Sequence, residues 1–276
     1  MSMSPTSTRP AHRTRSKVSA LVVATLIALI ALLALASSRA QAQAQATLAG
    51  DPPIAPFTNF YIATGTVLVD VGKINAHFTP ANGFFAISND AYSLGGGFTI
   101  PVGKLTIGGQ YHYFDLGIES SPKGKTDRMT AKFAMVDVGF NFFTFWHWNM
   151  YGSFGVGVGS NTLTFRDRNG GPTVSETVDP TFDEILDSPG LKSELTGTFF
   201  IIEPAIGLDY LVLANTNSHM GFTIGFRVAT AITPNRTTWK YKGRDVFGSP
   251  DAGPAGAQIR LQFGIGGFRL ASRSPR

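Results

Sequence analysis

From Phe60 onward, apolar and polar side chains alternate with a period of two, and no later stretch sustains a helical repeat. Residues 104–115 carry the pattern most cleanly: Leu105, Ile107, Gly109, Tyr111 and Tyr113 share one face, and Lys104, Thr106, Gly108, Gln110 and His112 share the other. The same scheme returns in residues 92–100, 148–158, 220–232 and 259–266, and in looser form near 60–75, 129–144 and 197–213. Eight strands are predicted. Between them short links alternate with long ones. The short ones are Pro101-Val102-Gly103, Trp146-His147 and Asn215 to Ser218; the long ones cover roughly 76–88, 116–128, 166–196 and 233–256 and are rich in Gly, Pro, Asn, Asp and Lys. Short turns at one end and long loops at the other are the layout of an outer-membrane barrel, with the turns in the periplasm.

A soluble β-domain also alternates, but it turns its large apolar residues inward. Here the face opposite the large residues holds Gly, Ser, Thr and scattered charges, which suits a narrow lumen, while Leu, Ile, Val and Phe suit lipid. Aromatic residues near the strand ends (Tyr61, Tyr111, Tyr113, Trp146, Trp148, Tyr210, Trp239, Tyr241) are expected to form interfacial girdles. The predicted class is all-β, an eight-stranded antiparallel up-and-down transmembrane β-barrel.

The N-terminus changes the reading of charge. Arg9, Arg13, Arg15 and Lys17 precede an apolar run from Val18 to Ala36, followed by a tract of Ala and Gln. This is a secretory signal layout, with cleavage expected after Ala40, Ala42, Ala44 or Ala46. A retained membrane anchor is the alternative. Removing residues 1–46 takes five basic side chains and no acidic one, so the formal charge of +5 belongs to the targeting segment. No nucleic-acid partner is implied. The expected organisation is a signal peptide (1–46), a periplasmic lead-in (47–57) containing Asp51-Pro52-Pro53, a barrel (58–270) and a short tail (271–276). Charged residues make up 15% of the chain, below the quarter usual for soluble domains. With no cysteine, disulfides, thiol catalysis and a lipoprotein anchor are all excluded.

On its signal, strand count and loop alternation, the chain over residues 57–270 resembles the small eight-stranded outer-membrane barrels, the group of outer membrane protein W-like, opacity-like and outer membrane protein X-like proteins. The resemblance implies placement in the bacterial outer membrane by the barrel assembly machinery, contact with membrane lipids and lipopolysaccharide, and a monomer. It departs at the C-terminus, where such chains often end on an aromatic residue; here Phe268 is followed by Arg269-Leu270 and then Ala271 to Arg276.

Candidate chemistry lies on the inward face. Strand parity places Asp70, Asp137, Glu203, Arg227, Arg260 and Gln262 in a polar lumen network, with Glu203 and Arg227 level on adjacent strands and Asp70 beside Arg260 on closure. Such a network is either a gate or a salt-bridged filling, and filling is the usual state of so narrow a barrel. Two long loops are basic at Lys123, Lys125, Arg128, Arg236, Lys240, Lys242 and Arg244, which suits lipopolysaccharide phosphates. The third loop is acidic (Glu176, Asp179, Asp183, Glu184, Asp187, Glu194) but matches no calcium-loop spacing, and Thr181 is placed to cap one helical turn. His112 brings to mind the Ser/His/acid set of an outer-membrane lipid A deacylase, yet Phe114 stands where the hydroxyl belongs. No metal, cofactor or catalytic residue is assigned. The expected function is a non-enzymatic barrel, structural in the envelope or a narrow passive pore; the alternatives are surface interaction through the long loops and a lipid-modifying hydrolase.

Overall fold

The computed structural model describes residues 57–79, 82–145, 147–174, 179–212, 221–234 and 237–268. The expected signal and tail, the lead-in up to residue 56, the turn at 215–218, Trp146, Glu176 and Arg236 lie outside the described residues.

Eight long antiparallel strands form one closed ring. They are β1 (Thr58–Leu68), β2 (Asp90–Val102), β3 (Leu105–Ser120), β4 (Lys125–Phe145), β5 (Trp148–Asp167), β6 (Ser193–Leu211), β7 (Gly221–Ala231) and β10 (Gly256–Phe268). Neighbours in sequence pair in order, β10 inserts between β7 and β1, and β5 pairs with β6 to complete the circle. A closed ring leaves no unpaired edge, which is the condition for a sheet to cross lipid. A small hairpin, β8 (Thr238–Tyr241) and β9 (Arg244–Asp245), extends the wall by pairing β8 with the upper part of β6. Two short helices, α1 (Gly72–Asn75) and α2 (Phe182–Asp187), lie in the connections at the same end.

The strands are unequal, and the inequality divides the molecule into two tiers. β4 has 21 residues and β5 has 20, against 11 in β1 and β7. About 9–11 tilted residues cross a hydrocarbon core. On the outer face of β4 the apolar run is Ala134, Val136, Val138, Phe140 and Phe142, and the residues above it are Lys132, Thr130, Arg128 and Thr126. β5 switches between Val158 and Ser160, and β6 between Phe200 and Thr198. Inside, the polarity inverts at nearly the same height. Within the apolar belt the lumen holds buried Asn, Gln, Asp, Glu and Arg; above it lies a core of Phe114, Met129, Leu163, Phe165, Leu195 and Trp239.

This upper tier, the head, revises two expected loops. Residues 116–128 are mostly strand, with a four-residue turn from Ser121 to Gly124 closed by the Ser121 amide on the Lys125 carbonyl at 2.8 Å. Residues 193–196 also belong to β6. The alternation continues through these segments with its polarity reversed, and a bulge at Gly117 (φ 85°) shifts its phase between Asp115 and Ile118. At β1 the revision runs the other way: the strand ends at Leu68 and the chain turns into α1, whose Ile74 is buried in the head. Three expected girdle aromatics are interior. Tyr61 lines the lumen, and Trp239 and Tyr241 pack in the head. Tyr111 and Tyr113 do face outward, and the Trp148 and Tyr210 rings meet at a tilt, 4.5 Å between centroids, at the turn end.

Candidate functional site

The buried charges converge at mid-height in the belt. Glycines make the space: Gly155 stands between Asp137 on β4 and Glu203 on β6 in the cross-strand register, and a Cβ there would collide with Asp137 Oδ1. Arg227 on β7 lies directly opposite Arg260 on β10. Two guanidiniums so placed repel unless anions stand between them. Glu203 supplies that anion. Its Oε1 accepts from Arg227 Nη2 at 3.1 Å and Arg260 Nη1 at 3.0 Å, and its Oε2 accepts from Arg260 Nη2 at 2.6 Å. Asp137 Oδ1 takes a second bond from Arg227 Nη2 at 3.1 Å.

Neutral side chains tie the ions together. Gln110 donates through Nε2 to both oxygens of Asp137, at 3.0 and 2.8 Å, while its Oε1 accepts from Arg260 Nη1 at 3.0 Å. The same oxygen lies 2.8 Å from His112 Nε2, which makes that nitrogen the donor. Gln258 Oε1 also accepts from Arg260. Nearer the turn end, the Tyr151 hydroxyl donates to Gln262 Oε1 at 3.5 Å, and Thr223 donates to Asn59 at 2.8 Å. Arg227, Arg260 and Glu203 are 1%, 0% and 0% exposed, and Asp137 and Gln110 beside them 4% each, so water scarcely reaches this layer.

Of the six residues expected in the lumen, Asp137, Glu203, Arg227 and Arg260 meet in one network, and Gln262 lines the layer below it. Asp70 is a correction. It is exposed, lies beyond the end of β1, and accepts the Gly72 amide at 3.1 Å. Arg260 instead faces Gly65 on β1. The Glu203–Arg227 pair also forms by another route than expected: the ladder sets Arg227 opposite Gly207, and the two charges meet across the lumen because tilted, staggered strands separate register from height. Gln110 and Gln258 went unnoticed as partners because an uncharged amide in a strand gives no signal of its own.

The described basic residues of the two long loops all lie in the head. Lys125 sits over the Phe84 ring at 5.1 Å, Arg128 pairs with Asp115, Lys240 lies 3.9 Å from Asp245, Lys242 covers the Tyr241 ring at 5.4 Å, and Lys123 and Arg244 are exposed. In the acidic segment Glu184 completes a capping box with Thr181 at the start of α2, and Asp183 lies 2.8 Å from His77 Nδ1. Also in the head, about 20 Å along β4 beyond the belt, the Asp127 carboxyl is pushed up to about 7, first by burial and then by Glu119 on the facing strand.

An apolar outer belt on a closed ring, a polar interior, short turns at one end and tall structure at the other place this protein in the bacterial outer membrane. No family model and no curated protein matches the chain. Among solved structures, the chain is similar to the attachment invasion locus protein Ail of Yersinia pestis (10% identity, 76% of this chain and 97% of that one, TM-score 0.42). It is likewise similar to Neisserial surface protein A (10% identity, 76% and 96%, TM-score 0.38) and to a major outer membrane protein of Thermus thermophilus (9% identity, 76% and 98%, TM-score 0.40).

Proposed function

We propose that the protein is a sealed, non-enzymatic barrel with a structural role in the outer membrane, and not a pore. The observation that carries this reading is the closed ion layer of Glu203, Arg227 and Arg260, at most 1% exposed, with an apolar core stacked above it. An ion crossing here would have to part bonded charges from which water is excluded, and such parting costs several kcal/mol per ion. His112, the residue considered for hydrolysis, is fully buried beneath Gln110 and Phe133, out of reach of a lipid ester. The test is conductance of the refolded protein in planar bilayers. A silent membrane supports the reading, and reproducible single-channel steps overturn it.

A second role is favoured by the head itself. Its strands, two helices and a hairpin close over a core of their own, which makes a firm surface carrying Lys123, Lys125 and Arg244 on its outside. Such a surface suits binding of anionic groups on the cell's own lipopolysaccharide or on another cell. Assembly by the barrel machinery and a monomeric state belong to the same reading.

A further inference from the structure

The outer wall carries a feature that neither a sealed lumen nor a head requires. At the upper edge of the apolar belt, cross-strand registers align Lys132 on β4, Ser160 on β5, Thr198 on β6 and Thr238 on β8 in one row. Directly beneath them stand Ala134, Val158 and Phe200. Small side chains at the centre of these rows, flanked by Tyr111 and Phe200, leave a groove of about 580 Å³ that opens outward. Its upper lip is a lysine with three hydroxyls, and its lower part is apolar. Lys132 is exposed and has no ion-pair partner among the described residues. Among the basic residues of the head, Lys240 stands two residues beyond Thr238 on the same face of β8, 3.9 Å from Asp245, and Lys125 is about 23 Å beyond Lys132 along β4.

A second groove, of about 660 Å³ and lined by Val138, Phe140, Phe154, Pro204 and Ile206, lies lower on the same three strands. From Ala134 to Val138 is four residues, or about 13 Å. A positive, hydroxyl-lined lip above two apolar furrows in line has the polarity of one membrane lipid held upright, its anionic headgroup at the belt edge and its chains below.

We propose that Lys132, Ser160, Thr198 and Thr238 form a docking site for a phosphate of a multiply acylated lipid in the outer leaflet, the lipid A part of lipopolysaccharide, whose acyl chains occupy the two grooves. The lysine supplies charge to the phosphate, the hydroxyls supply donors, and the furrows give the chains a fixed surface in place of mobile lipid. Lipid A is chosen over a glycerophospholipid because the head end faces the leaflet in which lipopolysaccharide carries the phosphates, and because two furrows in line suit several chains. The site is independent of whether the lumen is closed.

The test is native mass spectrometry of the refolded mature protein released from detergent micelles, with lipid A, dephosphorylated lipid A or phosphatidylglycerol added at equal concentration. The variants are Lys132→Ala, Lys132→Arg and Val158→Trp. The last fills the upper groove from an outward position and leaves the lumen untouched, and the shift in gel mobility on boiling checks that each barrel has closed. The expected result is one retained lipid A, retention weakened about fivefold by Lys132→Ala, restored by Lys132→Arg and lost with Val158→Trp. Retention indifferent to both Lys132→Ala and Val158→Trp overturns the site. Equal retention of dephosphorylated lipid A or of phosphatidylglycerol overturns the assignment of its ligand. A protein dimer that Val158→Trp abolishes, with no lipid retained, gives the groove to a second copy of the chain and also overturns the proposal.

Discussion

Glu203 is the residue on which the lumen depends, because among the described residues it alone bonds both guanidiniums that the register sets face to face. Replacing Arg227 with Met removes a charge that Asp137 and Glu203 share, and those carboxylates are then left with fewer donors in a layer closed to water. The expected loss is about 3–5 kcal/mol, the usual consequence of breaking a buried pair from one side. Arg227→Met combined with Glu203→Gln should destabilise by less than the sum of the single changes. Urea unfolding of the four proteins in lipid vesicles measures the coupling, and additive effects would show that the pair contributes nothing in the folded state. Much of this layer was legible in the sequence. A period of two assigns each strand residue to a face, so Asp137, Glu203, Arg227 and Arg260 follow from parity alone. Asp70 did not, since parity holds only while a strand lasts and β1 stops at Leu68. Which charge meets which was equally hidden, because contacts across a lumen depend on tilt and stagger.

At the scale of elements, the features that local sequence governs were the easiest to read. Thr181 followed three residues later by Glu184 announces a helix start, and α2 begins there with both capping bonds made. What α2 does was not legible: it turns Phe182, Ile185 and Leu186 down into the head core, an arrangement that exists only once β4, β5 and β6 rise above the belt. Leu186→Ala should therefore cost the head about 2–5 kcal/mol and speed cleavage of surface-exposed chain by protease added to intact cells, with the belt left folded. Unchanged cleavage rates would mean that α2 does not hold the head together. Asp127 gives this tier a pH dependence of definite sign. Its carboxyl is held at about 7 in the fold against an ordinary 3.8, so the folded head keeps its proton while the unfolded chain releases it. Stability is then fully present below about pH 4 and is lost as pH rises toward 7. Asp127→Asn should flatten that slope and raise the thermal midpoint at pH 8 more than at pH 4.5. Equal shifts at both values would show that Asp127 is ionised throughout.

For the whole molecule, one rule accounts for both tiers: the outer face matches its medium, and the interior takes the residues that the medium refuses. In the belt, lipid accepts Val, Ile and Phe, and the polar side chains gather inside around the Glu203, Arg227 and Arg260 network. Above it water accepts Lys, Thr and Ser, and the apolar side chains pack inward as in a soluble domain. The barrel is consequently closed twice, by ions at belt level and by an apolar core in the head, and the two closures differ in consequence for conduction. If the ion layer were a gate, Arg227→Met would open it and channels would appear. With a second closure above, removing one guanidinium weakens the lower layer but leaves Phe114, Leu163, Leu195 and Trp239 across the path. The protein and its Arg227→Met variant should therefore both be silent in planar bilayers, although the variant unfolds at lower urea. Channel activity confined to the variant would show that the head core passes ions and that the ion layer is the only seal; activity in the unmodified protein would show that the lumen conducts as built.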